Sequence, residues 1–557
     1  MIINEVETDV LIIGAGAAGC FLGIELLEKS NLRVTLVDKG YIKRSGCLAA
    51  GVNALNAYIT KGETENSYVD YVSKEFKKIV REDLVLSIAK RLNMSAKKIE
   101  DMGLTILKDS NGNYISRGKR SIKINGENIK PILYNRLKKF SPQIFEGVNI
   151  TDYLMDDNTV VGAVGFSINS KEAYVIKSKI TVCATGGASG IYKPSQGGES
   201  RHKMWYSPFN TGAGYAMGIR SGAEMTSLEM RFIALRCKDT IAPTGTIAQG
   251  IGAMQVNSSG EEYVKNYGEA TTDIRLYSTI DQIKNGKGPC YLKTRGISNE
   301  ASDELFKAYL NMAPMQVLKW VSSNTSPSNS NVEIDGTEPY IVGGHSGSGY
   351  WVDKDRKTTL KNLYAIGDVA GGSPKKYVTG CFAEAFIVCE DILSIINSIS
   401  NSKWMDYSDY INEYISFFRE EALLEDIEAL EEKVQETMDT LAGGRTTYYQ
   451  YSEENLFKAL SLLSTIDNQL KSLRCKDTQQ LMYIYEIRDR IILSIAVVNH
   501  MLERKETRWR SYGEFKDYGN INSELDLYIN SVYRDGRFNI IRRNLVKRDE
   551  VYVHKNK

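Results

Sequence analysis

Two glycine-rich turns in this sequence each come with a carboxylate that can contact a dinucleotide. The first turn is "GAGAAG", Gly14 to Gly19, and Asp38 follows Gly14 by 24 residues. Gly14 permits a tight turn, Gly16 lets a pyrophosphate approach the backbone, and Gly19 lets a helix pack closely on a strand. The Asp38 carboxylate can accept hydrogen bonds from both ribose hydroxyls of an adenosine. The pattern predicts a dinucleotide site that excludes a 2′-phosphate.

The second turn is "YAIGDVAGG", which carries Asp368, and a third glycine turn, "CATGG", ends at Gly187. Either could be an ordinary turn after a strand. Together with the first turn they favour one FAD held by three chain segments, with Asp368 at the ribityl hydroxyls. NAD is the alternative, but the position of the first turn within 40 residues of the start, and the later return of the chain, favour FAD.

These turns require a parallel sheet to position them. Val10 to Ile13 and Arg33 to Val37 are typical of strands, and Cys20 to Lys29 of the helix between them, whose N-terminal N–H groups face phosphates. We expect an α/β fold: a Rossmann-like FAD-binding domain (residues 1–200 and 330–395) with an inserted α+β capping domain (200–330). Helical periodicity predicts a C-terminal bundle over 400–510, and residues 511–557 form a tail or an extra strand.

The composition limits the kinds of partner that the protein can bind. Lysine plus arginine number 70 against 69 for aspartate plus glutamate, so no bulk charge attracts nucleic acid or an anionic membrane. The eight cysteines lack the spacing of a zinc site, a cluster or a disulfide framework, which indicates no metal and a reducing, cytoplasmic setting. The start of the chain lacks the pattern of a signal peptide, and we expect no transmembrane segment.

The sequence resembles the flavoprotein subunits of fumarate reductase, succinate dehydrogenase, L-aspartate oxidase and adenylylsulfate (APS) reductase. In "KRSGCLAAGVNALNAY" the place of the histidine that binds FAD covalently in some members falls on Gly46, which implies non-covalent FAD. Asn56 matches an APS reductase asparagine beside the reactive edge of the flavin. The plain alternative is an asparagine that caps a turn.

Two further stretches carry the candidate substrate residues. "MRFIALRCKDTIAPTG" resembles an APS reductase pattern, and Arg231 is the preferred anion-binding residue, because its planar fork suits sulfate or phosphate oxygens. Arg236 and Lys238 are weaker candidates, since such a charged run is otherwise a solvated loop. His345, in "GGHSG", can donate a proton or hold an anion next to the flavin. Its alternative is a buried structural histidine.

The stretch "PKKYVTGCFAEAF" lacks the arginine that binds a carboxylate in the dicarboxylate enzymes. Its part from Gly380 onward still predicts the start of a helix that faces the flavin. The resemblance implies reduction of adenylylsulfate, a small anionic substrate, to sulfite and AMP, with electrons from a ferredoxin-like iron-sulfur subunit. A dicarboxylate or aspartate oxidoreductase, and a flavoprotein subunit without catalysis of its own or with electron bifurcation, are the alternatives.

The candidate catalytic residues are thus Asn56, Arg231 and His345. The residues expected to contact FAD are Gly14, Gly16, Ala17, Ala18, Gly19, Asp38, Lys39, Ser45, Gly46, Ala50, Gly51, Ala184, Thr185, Gly186, Gly187, Gly367, Asp368, Gly380, Cys381 and Phe382.

Overall fold

The computed structural model describes residues 1–194, 204, 206–240, 247–400 and 404–554. The Pro-x-Gly part of the second APS reductase-like stretch, residues 243–245, lies outside them. In the described part of the chain, no helix combines the length and the apolar character that crossing a membrane requires.

The strands alternate with helices through the first half of the chain. They are β1 (Ile2–Ile13), β2 (Val34–Asp38), β3 (Ala54–Asn56), β4 (Thr105–Ile106), β5 (Ser121–Asn125), β6 (Gln143–Glu146), β7 (Val148–Asp156), β8 (Thr159–Ser167), β9 (Glu172–Cys183), β10 (Met225–Thr226), β11 (Leu235–Cys237), β12 (Gln255–Val256), β13 (Cys290–Leu292), β14 (Val332–Gly336), β15 (Gly349–Tyr350), β16 (Leu363–Ala365), β17 (Gln450–Tyr451), β18 (Glu514–Phe515), β19 (Leu527–Arg534) and β20 (Arg537–Asn544).

The α-helices dominate the second half. They are α1 (Ala17–Lys29), α2 (Glu65–Glu75), α3 (Glu82–Asp101), α4 (Ile129–Lys138), α5 (Ala213–Arg220), α6 (Thr272–Lys284), α7 (Asn299–Met312), α8 (Pro314–Ser322), α9 (Gly343–Ser346), α10 (Tyr377–Ile395), α11 (Ser408–Ser416), α12 (Leu424–Leu441), α13 (Glu453–Leu470) and α14 (Thr478–Glu503).

The main sheet has the order β6-β2-β1-β9-β8-β7, with β16 also paired to β9. Strands β6, β2, β1, β9 and β16 run parallel, and β7 and β8 add an antiparallel extension. This is the predicted α/β architecture. Since parallel strands end at one edge, the segments after Ile13, Asp38, Cys183 and Ala365 meet there.

Both faces of this sheet are buried, which explains its near-continuous apolar strands. On β1, Leu11 and Ile13 pack into the core on one face, while Val10 and Ile12 pack into the core on the other. The alternation follows from the two-residue period of a strand. The backbone at the sheet's carboxyl edge is thereby held on both sides.

The rest of the described chain includes two smaller units. One contains the sheet β11-β14-β13-β12 and helices α6 to α8, and it has a core of its own that includes Trp320 and Ile334. The other contains α11 to α14, with α14 packed on α12 and α13. The domain boundaries given above remain a prediction.

The C-terminal stretch forms a β-hairpin rather than a tail. Strand β19 pairs with β20 and, on its other side, with β10, in a sheet that also contains β15. The turn between them is Asp535-Gly536, both with positive φ (52° and 75°). An Asp-Gly pair between two apolar-rich runs is a strong hairpin pattern, and it could have been read from the sequence.

Candidate FAD and substrate site

A cavity of about 710 Å³ lies at the carboxyl edge of the main sheet. Its wall includes the turns after β1, β2, β9 and β16, the start of α10, and residues of the unit with α6 to α8. Residues far apart in sequence therefore meet around one space.

The first turn has the geometry that the glycine spacing predicts. Gly14 has φ +95°, and a Cβ added there would lie 2.5 Å from the carbonyl oxygen of Ala184. A Cβ on Gly19 would overlap the carbonyl oxygen of Gly14, whereas a Cβ on Gly16 would meet no atom within 4 Å. The helix α1 begins at Ala17 without a side-chain cap. Its free N–H groups and the open space at Gly16 therefore suit a pyrophosphate.

Asp38 is held at the end of β2 by backbone groups. Its Oδ2 accepts a hydrogen bond from the N–H of Ala15 at 2.8 Å, and its Oδ1 accepts one from Gly40 at 2.7 Å. Lys130 supports the same turn from behind, because its buried ammonium donates to the Ala15 carbonyl at 2.6 Å. The carboxylate lies in the cavity wall, as a ribose-binding acid must.

The late acid, Asp368, lies on the same cavity. Its carboxylate accepts a hydrogen bond from the Tyr206 hydroxyl at 2.7 Å, and that hydroxyl in turn accepts one from the Gly187 N–H at 3.0 Å. Burial raises the pKa of Asp368, against the lowering effects of Tyr206 and Lys376. A Cβ on Gly344 would overlap the Asp368 carboxylate, which explains the glycine pair before His345.

A buried ion cluster fixes the turn that carries Asp368. The ammonium of Lys376, fully shielded from solvent, donates to the carbonyls of Gly367 (2.8 Å) and Ala370 (3.0 Å) and to the carboxylate of Glu384 (3.1 Å). Glu384 also accepts from the Gly367 N–H at 2.8 Å and from Arg356 at 3.3 Å. Only Glu384 lies within α10, whereas Arg356, Gly367 and Ala370 precede it, so no local pattern in the sequence predicts the cluster.

Fifteen of the residues expected to contact FAD line the cavity, and the others occupy different positions. Gly19 packs α1 on β1, Gly187 binds Tyr206, Gly380 lies against Lys376, and the Phe382 ring stacks on Phe21 at 4.3 Å in the core. The side chain of Ala50 lies outside the described part of the structure. Those in the wall are Gly14, Gly16, Ala17, Ala18, Asp38, Lys39, Ser45, Gly46, Gly51, Ala184, Thr185, Gly186, Gly367, Asp368 and Cys381.

Asn56 lines the cavity, and its amide is fixed. Its Nδ2 donates to the Tyr68 hydroxyl at 3.0 Å and to the Lys376 carbonyl at 3.1 Å, while its Oδ1 accepts from the Thr379 hydroxyl. The structure therefore joins the β3 strand to the start of α10 through this one side chain.

His345 also faces the cavity, between two aromatic rings. The Phe232 ring lies 4.4 Å away and the Tyr377 ring 5.2 Å away, centre to centre. Burial, together with the positive charges of Arg236 and Lys375, lowers the pKa of His345 to about 3. The imidazole is thus neutral at physiological pH, and it can offer a hydrogen bond but not a positive charge.

Arg231 is not in the cavity wall, which corrects the choice of this residue as the anion-binding arginine. Its guanidinium is fully buried and donates to the Tyr192 hydroxyl and to the carbonyls of Ala442, Gly443 and Tyr512, at 2.6 to 2.8 Å. Because Tyr512 itself lines the cavity, Arg231 supports the wall from behind.

The basic residues that do line this part of the cavity include Arg236 and Lys375. Burial lowers the pKa of Arg236 to about 10, so its guanidinium stays charged at neutral pH. The Lys375 ammonium pairs with Glu75 at 3.4 Å and lies 5.9 Å from the centre of the Tyr71 ring. Lys238 is outside the wall and pairs with Glu333 at 2.8 Å on the surface.

Aromatic side chains that were not predicted from the sequence also line the cavity. Tyr71 and Phe76 come from α2 and the residue after it, and Trp509 and Tyr512 come from the segment after α14. Asp273, at the start of α6, lies among them and accepts from the Ser511 N–H at 3.2 Å. Rings, cations and a carboxylate together match the chemistry of a nucleotide.

All eight cysteines are free thiols, and among the described residues there is no group of three or more His, Cys, Asp or Glu side chains placed to hold a metal ion. The donor set of the cavity is instead that of FAD: free N–H groups at a helix start, two carboxylates for hydroxyls, and apolar walls. The residues present therefore fit FAD.

Comparisons with known proteins agree with this geometry. Residues 9–381 match the family described as FAD binding domain. The adenylylsulfate reductase alpha subunit of Megalodesulfovibrio gigas is 27% identical over 96% of this chain and 94% of its own length. The solved adenylylsulfate reductase of Archaeoglobus fulgidus is 31% identical, with a TM-score of 0.93 over 99% of this chain and 98% of that chain. An adenosine-5-phosphosulfate reductase solved in complex with sulfite (covalent adduct) is 30% identical, with a TM-score of 0.92 and the same coverage.

The family match extends over more than half of the sequence, and the similarity to solved relatives extends over nearly all of it. The chain therefore belongs to the FAD binding domain family and, within it, to the FAD-dependent oxidoreductases that resemble the adenylylsulfate reductase alpha subunit.

Proposed function

We propose that this protein reduces adenylylsulfate to sulfite and AMP. The observation that carries the proposal is that the cavity lined by the three FAD turns is also lined by Asn56, His345, Arg236 and Lys375 and by aromatic rings. Adenylylsulfate has two anionic groups and an aromatic base, which such a wall can bind. The similarity to relatives named as adenylylsulfate reductases supports the same substrate.

When bound and reduced by its electron donor, FAD would supply the two electrons that reduce the sulfur. The bond between the sulfur and the bridging oxygen of the phosphate breaks, AMP keeps that oxygen, and AMP and sulfite leave while the two protons of the reduced cofactor pass to solvent. In this chain, Arg236 and Lys375 bind the anionic oxygens, and the neutral His345 ring forms a hydrogen bond to the same group. Asn56, held by Tyr68 and by the carbonyl of residue 376, orients the reacting edge of the site.

The electrons must come from another protein, because the cysteines are too scattered to ligate a cluster. A ferredoxin-like iron-sulfur subunit is the partner that fits this need, and the cytoplasm is the setting that fits the free thiols. The dicarboxylate alternative is weaker, since residues 374–386 contain no arginine for a second carboxylate.

The test of the proposed function uses the purified protein with FAD. We expect sulfite to decrease the visible absorption of the oxidised flavin, and AMP plus sulfite to reduce an artificial electron acceptor such as ferricyanide. Fumarate, succinate and aspartate are the control substrates. Turnover of any of these, or a flavin that responds to neither sulfite nor AMP plus sulfite, would contradict the proposal.

The low pKa of His345 predicts an unusual pH behaviour. We expect the His345 imidazole to stay neutral from pH 8 down to pH 5, because its pKa in the folded protein is about 3. NMR of isotope-labelled histidine tests this, and the His345→Gln variant assigns the resonance among the four histidines. Since the unfolded chain binds this proton near pH 6.5 and the folded chain does not, His345 destabilises the fold as the pH drops from 6.5 towards 3. A midpoint near 6.5 in the folded protein would contradict the burial argument.

A further inference from the structure

The long helix α14 lies outside the residues that match the FAD-binding family, yet one of its faces contacts the FAD site. The face consists of Glu486, Asp489, Arg490 and Leu493, which recur at the spacing of one side of a helix. We propose that this face positions the adenosine end of the FAD site, and that Glu486 is a positioning residue that acts on the cofactor through Lys39.

The contact at Glu486 is the most direct. The Lys39 ammonium pairs with the Glu486 carboxylate at 2.7 Å and donates to the Thr211 hydroxyl at 3.4 Å. Lys39 follows Asp38, the acid expected at the ribose, and both line the cavity, as do Thr211 and Phe209. The Lys39 ammonium lies 5.7 Å from the centre of the Phe209 ring. Glu486 thus fixes a cation and, through it, the wall that an adenosine would touch.

Whether the Lys39–Glu486 ion pair can fix the position of Lys39 depends on its exposure, and the pair is shielded from solvent. The Lys39 side chain is 11% exposed and the Glu486 side chain 4%. Exposed ion pairs contribute little because solvent and salt screen them, whereas a shielded pair holds its geometry. Removal of the Glu486 charge would free Lys39 to turn towards solvent or towards the Asp38 carboxylate.

The other three residues of the face hold the neighbouring segments. Asp489 accepts from Arg220 at the end of α5, at 2.8 Å. Arg490 donates to the Ser189 carbonyl, just after the β9 turn, at 3.1 Å. Leu493 packs against Gly212, where a Cβ would lie 2.8 Å from the leucine methyl. One helix face therefore contacts the segments that follow both β2 and β9, as well as α5.

The test compares full-length variants loaded with FAD. We expect Glu486→Gln to release FAD about tenfold faster on dilution, measured as the gain in fluorescence of free FAD, because one charge-assisted contact near the ligand is lost. The matched control is Glu503→Gln, on the same helix, whose carboxylate pairs with Arg542 at 2.6 Å on the surface. Its release rate should equal that of the unmodified protein.

A double-mutant cycle distinguishes positioning through Lys39 from a general loss of structure. Lys39→Gln should release FAD as fast as Glu486→Gln does, and the double variant should be no faster than Lys39→Gln alone. The proposal is overturned if Glu486→Gln keeps the normal release rate or if the two effects add. If Glu486→Gln does not fold, Asp489→Asn on the same face should give faster release, and a normal rate would overturn the proposal.

Discussion

Replacement of Arg236 by methionine should lower kcat/KM for AMP plus sulfite at least about 100-fold while FAD stays bound. The guanidinium lies in the cavity wall near His345, stays charged at neutral pH, and is a group that can hold a sulfate or phosphate oxygen. Methionine keeps most of the side-chain volume, so the wall remains filled. The measurements are steady-state kinetics and the ratio of bound flavin to protein.

Two control variants distinguish the role of Arg236 from the roles of the basic residues close to it in sequence. Lys238→Met, on the surface, should leave both activity and stability unchanged within about 0.5 kcal/mol, because the exposed pair with Glu333 is screened. Arg231→Met should instead lower the stability by about 3 kcal/mol or more, since it leaves buried carbonyls unpaired. Normal kcat/KM in Arg236→Met, or lost activity in a stable and flavin-loaded Arg231→Met, would contradict the assignment.

Arg231 and Arg236 also show what a sequence motif cannot predict. They lie five residues apart in an extended segment that runs antiparallel to residues 334–340. Side chains of an extended segment alternate between two sides, and an odd spacing puts two residues on opposite sides. The motif predicted an anion-binding arginine here, but only the packing of Tyr192, Ala442 and Tyr512 decides that Arg231 points away from the cavity.

The glycine turns, in contrast, could be predicted from the sequence. Each requirement at Gly14, Gly19 and Asp38 is local, because a tight turn, a close helix and a strand-end acid are set by residues next to one another. The aromatic part of the cavity wall is not set by neighbouring residues. Its rings come from α2 and from the segment after α14, more than 400 residues later, and no short pattern joins Tyr71 to Trp509. Only the fold brings them to one wall.

The second large effect is expected at Lys376, one of two neighbouring lysines after the turn that carries Asp368. Lys376→Met should destabilise the protein by about 3 to 5 kcal/mol and greatly weaken FAD binding. The substitution leaves the Glu384 carboxylate buried with Arg356 as its remaining ion-pair partner, and it removes the ammonium from the carbonyls of Gly367 and Ala370. Because the Asp368 carboxylate lies on this turn, its position in the FAD site is lost as well.

Lys375→Met is the matched control, with the same change one residue earlier. Its ammonium faces the cavity and pairs with Glu75, so this variant should keep FAD and lose activity. A thermal ramp that follows free FAD fluorescence measures both variants, and Lys376→Met should release FAD at a much lower temperature than Lys375→Met. Equal release temperatures would mean that the buried cluster does not hold the turn, and that other contacts, such as the hydrogen bond from Tyr206, position Asp368.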